Sequence, residues 1–325
     1  MNKTFVYKRM KEKRIRGRNM LKLPNEFQIR IINRYGQEGK KWLENINNIV
    51  DTYADKMNLE DIKLLEKLSM NVIAFARTHQ YGEVVLKIGA PGVTSESEIK
   101  VMKNYSTQYI PKCYYSSIED RVMLLEKISP GYSLNNLKNK EERIKVFSNI
   151  ADGLLNPTTN MKKFQTFEEL FSKKIEYASL NKKDYSEIMW MIPIAQEMYS
   201  EIKKMKLPQY ILHDDLHHKN ILKAEDGWKA IDPHGIIGER VFETSHFIRA
   251  ELEQVNIEED EVEEIVSLLE KYYREDKYLI LKALYINLIL KVIWYIKNKY
   301  EESIISYNRK ICETILKILE IKKEE

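Results

Sequence analysis

The side chains of this 325-residue chain that could do chemistry together lie between Leu212 and Pro233. The run Leu212-His213-Asp214-Asp215-Leu216-His217-His218-Lys219-Asn220-Ile221-Leu222 is followed, after a short interval, by Ala230-Ile231-Asp232-Pro233. An aspartate on a loop can accept a hydroxyl proton, an asparagine five residues on can hold Mg²⁺, and an aspartate twelve residues later can bridge that ion to nucleotide phosphates. Phosphoryl transfer needs those side-chain types, with Asp215 as the base and Asn220 and Asp232 as metal ligands. The three histidines in the same run raise zinc as the competing chemistry. Hydrolytic zinc motifs space their ligands by one helical turn, as in His-Glu-x-x-His, whereas here apolar strand-like flanks and the downstream Asp-Pro speak for the first reading.

Positioning these groups requires strands on either side of the loop. Tyr210-Ile211-Leu212 enters it and Asn220-Ile221-Leu222 leaves it; Glu225-Asp226-Gly227 has the composition of a hairpin turn, and Trp228 to Ile231 returns to deliver Asp232. Upstream, Glu83-Val84-Val85-Leu86-Lys87-Ile88-Gly89 alternates like a strand, paired through a turn at Gln80-Tyr81-Gly82 with a strand over Val72 to Ala76. Ser95 followed by Glu98 is a capping pattern that predicts a helix starting at Ser95. Arg121 to Gly131 predicts a buried strand that ends at Pro130-Gly131.

Together these residues resemble the aminoglycoside phosphotransferase family, kin to the protein kinases, and within it the streptomycin 6-kinase and hydroxyurea phosphotransferase branch. The loop is similar to the family's His-Gly-Asp-Leu-His-x-x-Asn, and Ile231-Asp232-Pro233 to its metal segment, continued by His234-Gly235-Ile236-Ile237-Gly238-Glu239. Leu68-Ser69-Met70-Asn71-Val72 and Gly36-x-x-Gly39-x-x-Trp42-Leu43 are similar to earlier segments of the branch. The chain departs from the pattern at Asp214, where the family has glycine, and at His234, where the branch has lysine. It departs again at Asn71 to Thr78, which contains no glycine to form a phosphate loop.

The resemblance implies an α+β, protein-kinase-like fold with a small lobe built on an antiparallel sheet and a larger, mainly helical lobe. It implies that Lys87 binds the nucleotide phosphates, that Glu98, or else Glu96, aims it, and that main-chain groups at Glu126, Lys127 and Ile128 hold the adenine. ATP, with GTP as an alternative, and Mg²⁺ are the implied cofactors. On this reading residues 1–20 form a flexible basic tail, 21–127 the N-terminal helices and nucleotide-binding lobe, and 128–325 the helical lobe with the catalytic loop and acceptor site. His213 is expected to brace the loop from the buried side, His217 to sit beside Asp232, and His218 to face solvent.

Composition sets outer limits. Charged residues make up 31% and hydrophobic ones 43%, a globular profile that excludes disordered and collagen-like chains. Cys113 and Cys312 have no ligand-like or disulfide-like spacing, which suits a reducing cytoplasm. The stretch from Ile280 to Ile296 approaches membrane-spanning length but includes Lys282, Asn287 and Lys291, and reads as a core helix. A net charge of +4 with no recognition module argues against nucleic acid as a partner. Further helices are predicted over 164–180, 188–204, 261–273, 279–298 and 303–321.

The acceptor implied by the resemblance is a small cationic aminoglycoside such as streptomycin, for which the acidic run Glu258 to Glu264, with Glu239 and Glu243, offers counter-charges. The same run also serves as an ordinary helix start. The alternatives are a kinase of another metabolite, of the sugar, choline or homoserine type, and a nucleotide-binding pseudokinase. Oligomeric state is not legible in the sequence.

Overall fold

A computed structural model describes residues 21–105, 108–157 and 164–320; the basic segment 1–20 lies outside them. The chain forms two compact units. One comprises the chain up to Gly92 with Tyr114–Glu126, the other Val93–Cys113 with the chain from Lys127 onward.

The first unit is a helix packed on a sheet. Helix α1, Asn25–Met57, is interrupted at Gly36, whose φ of 56° and ψ of −131° are open to glycine alone. Its buried stripe, Phe27, Ile31, Trp42, Ile46, Val50 and Tyr53, repeats at helical spacing and lies against the sheet. The sheet has the order β1-β2-β3-β5-β4, with β1 at Glu60–Leu64, β2 at Val72–Thr78, β3 at Gly82–Ile88, β4 at Cys113–Ser117 and β5 at Val122–Glu126. Pairing sets Val72 opposite Ile88, Ala74 opposite Leu86, and Leu86 opposite Leu124. Val72, Leu86, Ile88 and Leu124 belong to the core cluster with α1. Lys87, one residue out of phase, stands opposite Ile73 and Met123 and so belongs to the other sheet face.

The second unit is mainly helical and is organised around α8, Lys277–Lys297. This helix is apolar on nearly all sides and packs against α4 (Phe167–Leu180), α5 (Met191–Lys204), α6 (Thr244–Leu252), α7 (Glu259–Tyr273) and α9 (Glu302–Ile318). By length and composition alone it could cross a membrane, but 72% of its most apolar stretch is buried among those neighbours. Its polar residues are absorbed too: Lys282 Nζ meets Glu201 at 2.6 Å, and Asn287 Nδ2 donates to Ser245 Oγ at 2.8 Å. Helix α3, Lys140–Leu154, packs against α7.

Two small sheets deliver the loops. One orders β10, β9 and β6, the other β11, β8 and β7, with β6 at Pro130–Ser133, β7 at Asn156–Pro157, β8 at Gln209–Leu212, β9 at Ile221–Ala224, β10 at Gly227–Ala230 and β11 at Ile236–Glu239. The predicted hairpin is present, with Ala224 opposite Gly227 and Glu225-Asp226 in the turn.

Several expected helix ends move by two or three residues, and two boundaries in the nucleotide-side segments move as well. Helix α2 spans Val93–Asn104 and so starts before Ser95, because Gly92, at φ 129°, already turns the chain into it; Ser95 lies inside the first turn rather than capping it. The strand expected to run to Pro130-Gly131 ends at Glu126, and Pro130 instead opens β6, which pairs with β9. A proline that lacks an N–H is well tolerated at the first residue of such a strand.

Candidate active site

Asp215 follows β8, Asn220 immediately precedes β9 and Asp232 follows β10, so three strand ends in one unit converge on the same place. The backbone ties the segments together. Ile231 N donates to Asn220 O at 2.9 Å and His234 N to His213 O at 2.8 Å. Asn220 Nδ2 donates to Asp215 twice, to the main-chain oxygen at 2.9 Å and to Oδ2 at 3.1 Å. The base candidate and one metal-ligand candidate are therefore held by a direct contact.

His213 braces this loop from the buried side, as expected. It is fully buried, its Nδ1 accepts from Asp215 N at 3.3 Å, and its Nε2 is left to donate to Ile231 O at 2.8 Å. Burial pulls its pKa down to about 4, so the ring is neutral, the state in which one nitrogen accepts and the other donates. Beneath the loop, Glu243 accepts from His213 N at 2.7 Å on one oxygen and from Asp214 N at 3.2 Å on the other. Burial raises the Glu243 carboxyl to about 8 against those two hydrogen bonds.

Three more imidazoles face the Asp215 carboxylate. His217 Nε2 is 3.7 Å and His234 Nε2 3.8 Å from Oδ2, and His246 Nδ1 is 3.3 Å from Oδ1 without the alignment of a hydrogen bond. Burial lowers the pKa of His217, and lowers that of His246 far more, so neither ring is a cation at neutral pH.

His218 corrects the sequence reading. It is 1% exposed, stacks on Phe247 at 4.6 Å, and its Nε2 lies 2.7 Å from Glu251 Oε1. Glu251 is gripped in turn by Arg143, at 2.8 Å from Nε and 2.5 Å from Nη2. The turn just before Asn220 is thereby anchored to α3 and α6.

Asp214 and Asp232 both have positive φ, 60° and 61°. The first explains why glycine suits that position in the family, since aspartate is among the few side chains that tolerate the left-handed region.

The remaining nucleotide-side candidates are distributed as follows. Lys87 is buried on β3 in the first unit, Glu98 is buried on α2 in the second, and Glu96 on the same helix is half-buried. The chain passes from one unit to the other between Glu126 and Lys127, with Ile128 just beyond. The loop between β1 and β2, residues 65–71, contains no glycine; Asn71 Oδ1 accepts from Ala90 N there at 3.1 Å.

The donor set suits Mg²⁺. With its amide nitrogen committed to Asp215, Asn220 has its hard carbonyl oxygen to offer, and Asp232 adds a carboxylate. Mg²⁺ is commonly held by one or two such oxygens, completed by substrate phosphate and water. Among the described residues no three His, Cys, Asp or Glu side chains gather as a metal site, so a closed protein cage is not the arrangement available.

Five of the carboxylates expected to greet a cationic acceptor have partners of their own, and one of the five, Glu239, keeps a buried oxygen, Oε2, without a hydrogen bond. Glu243 lies under the loop, Glu239 accepts from Gln209 at 3.3 Å, Glu261 and Glu264 both pair with Lys140, and Glu259 pairs with Lys317. What the sequence reading missed is His246, which reaches Asp215 Oδ1 from α6 and is marked by no local signal in the sequence.

The two units, an antiparallel sheet with its helix and a helical body bearing the paired loops, define the kinase-like fold. Plasmodium vivax ethanolamine kinase shares it at 13% identity, with 92% of this chain and 95% of that one aligned and a TM-score of 0.61. Choline kinase LicA of Streptococcus pneumoniae, at 13% identity, aligns over 85% of this chain and 99% of its own with a TM-score of 0.57. A thermostable aminoglycoside phosphotransferase solved with ADP and hygromycin B, at 10% identity, aligns over 83% and 98% with a TM-score of 0.57. Residues 59–285 match the aminoglycoside/hydroxyurea antibiotic resistance kinase family, and the chain belongs to it. A stretch of 33 residues is 64% identical to streptomycin 3''-kinase of Klebsiella pneumoniae; it covers 10% of this chain and 12% of that protein.

Proposed function

We propose that this protein transfers the γ-phosphoryl group of ATP to a hydroxyl group of a small molecule. The observation that carries the reading is the direct tie between Asp215 and Asn220, with Asp232 brought alongside by the Ile231–Asn220 hydrogen bond. In the reaction the acceptor oxygen bonds to the γ-phosphorus as the bond from that phosphorus to the β–γ bridging oxygen breaks. The electron pair of the broken bond leaves on ADP, and the hydroxyl proton passes to Asp215.

Asn220 and Asp232 would hold Mg²⁺, which when bound neutralises charge on the phosphates. Lys87 would bind those phosphates and Glu98 would aim Lys87, while main-chain groups at Glu126 to Ile128 would hold the adenine. His213 and Glu243 keep the loop in register without touching the reacting atoms.

Family membership and the match to streptomycin 3''-kinase support an aminocyclitol antibiotic such as streptomycin as the acceptor.

Replacement Asp215→Asn keeps size and hydrogen bonding but removes the base. Turnover is expected to fall by about two to four orders of magnitude while ATP still binds. An Asp215→Asn enzyme that releases ADP at the wild-type rate removes Asp215 from the base role.

A further inference from the structure

Helix α6 presents one face to the catalytic loop. Glu243, at its N-cap, accepts from the main-chain nitrogens of His213 and Asp214, Phe247 stacks on the His218 ring, and Glu251 bonds that ring. Residues 243, 247 and 251 follow one another by a helical turn, and His246, three residues after Glu243, belongs to the same face. His246 is the member that meets the base itself, with Nδ1 3.3 Å from Asp215 Oδ1. Its backbone is pinned next door, where Ser245 Oγ accepts from Asn287 Nδ2 of α8 at 2.8 Å.

His246 Nδ1 is buried and makes no hydrogen bond. A buried polar atom left so costs stability unless something engages it, and Asp215 Oδ1 is the acceptor placed within reach. The contact lacks only alignment, and hydrogen bonds to catalytic groups commonly tighten when substrate arrives. Burial, reinforced by Lys291, Arg249, His234 and His217, holds the pKa of this imidazole well below the usual histidine value, so the ring is neutral and carries one proton. On Nε2, that proton would leave the Nδ1 lone pair against the lone pairs of a carboxylate. On Nδ1, it points an N–H at negative charge.

A donor at Oδ1 bears on catalysis because a carboxylate rotates easily about the bond to its own Cβ unless both oxygens are held. Asn220 Nδ2 already donates to Oδ2 at 3.1 Å. A second donor at Oδ1 fixes the plane, and each oxygen keeps a further lone pair with which the hydroxyl of an acceptor can be met. We propose that His246 is a positioning residue for phosphoryl transfer, its Nδ1–H donating to Asp215 Oδ1 so that the base is clamped between α6 and Asn220. The inference rests on the phosphotransferase reading and concerns how that site orients its base.

Two measurements on the full-length protein test it. NMR of the imidazole nitrogens in isotope-labelled protein reads the tautomer, the His246 signals being those missing from His246→Asn. A neutral ring protonated at Nδ1 is expected, with that preference lost in Asp215→Ala. Protonation at Nε2, or an Nδ1–H that survives in Asp215→Ala, overturns the proposal. The second measurement is Mg²⁺-dependent ADP release from ATP, with streptomycin present and with water as the sole acceptor. His246→Leu removes the donor, His246→Asn places an amide nitrogen where Nδ1 stood, and His246→Gln carries it one bond too far. The Leu and Gln variants should lower kcat by about tenfold to a hundredfold, with KM for ATP held within about twofold, and the Asn variant should recover to within about threefold of wild type. A kcat unchanged in His246→Leu, or equally depressed in all three variants, overturns the proposal and leaves phosphoryl transfer standing. ADP release that is the same in wild type and Asp215→Asn overturns the phosphotransferase reading and the proposal with it. Should His246→Leu fail to fold, the tautomer in the wild type and in Asp215→Ala decides.

Discussion

Asp214 stands where the family has glycine, in a left-handed conformation that glycine adopts without strain. Burial raises its carboxyl from 3.8 to about 6. A carboxylate whose pKa is higher in the folded than in the unfolded protein holds its proton more tightly when folded. The stability this contributes is complete below the unfolded value and is lost as pH rises through the folded one. Asp214→Gly removes that loss, so its stability relative to wild type should grow between about pH 4 and pH 6, by roughly 1–2 kcal/mol after allowance for partial exposure, and stay level above. Urea denaturation of both proteins at several pH values checks this; a pH-independent difference rules out the assignment. At this scale the meeting of Asp215, Asn220 and the Asp232 segment was legible because their side-chain types recur at short spacing between strand-like flanks. The burial of His218 was not, since it depends on Glu251 and Arg143, which arrive from α6 and α3.

At the scale of elements, α2 and the segment after it are fastened to the strands that carry the site. Tyr105 donates its hydroxyl proton to Ile211 O at 3.0 Å, Ala230 N donates to Tyr109 O at 2.7 Å, and Ser97 Oγ donates to Gly235 O at 3.3 Å. Gly235 makes the last contact feasible: its φ is 77°, and a Cβ there would lie 2.1 Å from Val101 Cγ2. Gly235→Ala must strain the backbone and push α2 away, and is expected to cost about 2–4 kcal/mol of stability with a fall in turnover. A urea midpoint equal to wild type, with turnover retained, contradicts this account. Periodicity revealed most helices here, but α2 begins two residues early and β5 ends at Glu126. Local capping and breaker signals mark where an element is able to start or stop, and the neighbouring chain decides which mark is used.

At the scale of the molecule, the order of sheet, loops and helices was legible, since strand and helix periods are strong signals and the loop motifs fix their sequence. The grouping of α2 with the second unit was not, because it depends on contacts far from its own residues. Ligand binding tests the assignment of the metal ligands through the whole protein, since a ligand that binds only the folded state raises the unfolding midpoint. ATP at a hundred times its dissociation constant should add roughly 2.7 kcal/mol of stability. The part of the thermal shift that requires Mg²⁺ is expected to persist in Asp215→Asn and to vanish in Asp232→Asn; persistence in both removes Asp232 as a metal ligand. The placement of α8 bears on where such a protein tolerates change over time. A helix that is apolar on nearly all sides and packed against five others meets a neighbour with most of its residues, so inheritance is expected to hold this segment more tightly than the exposed ends of the molecule.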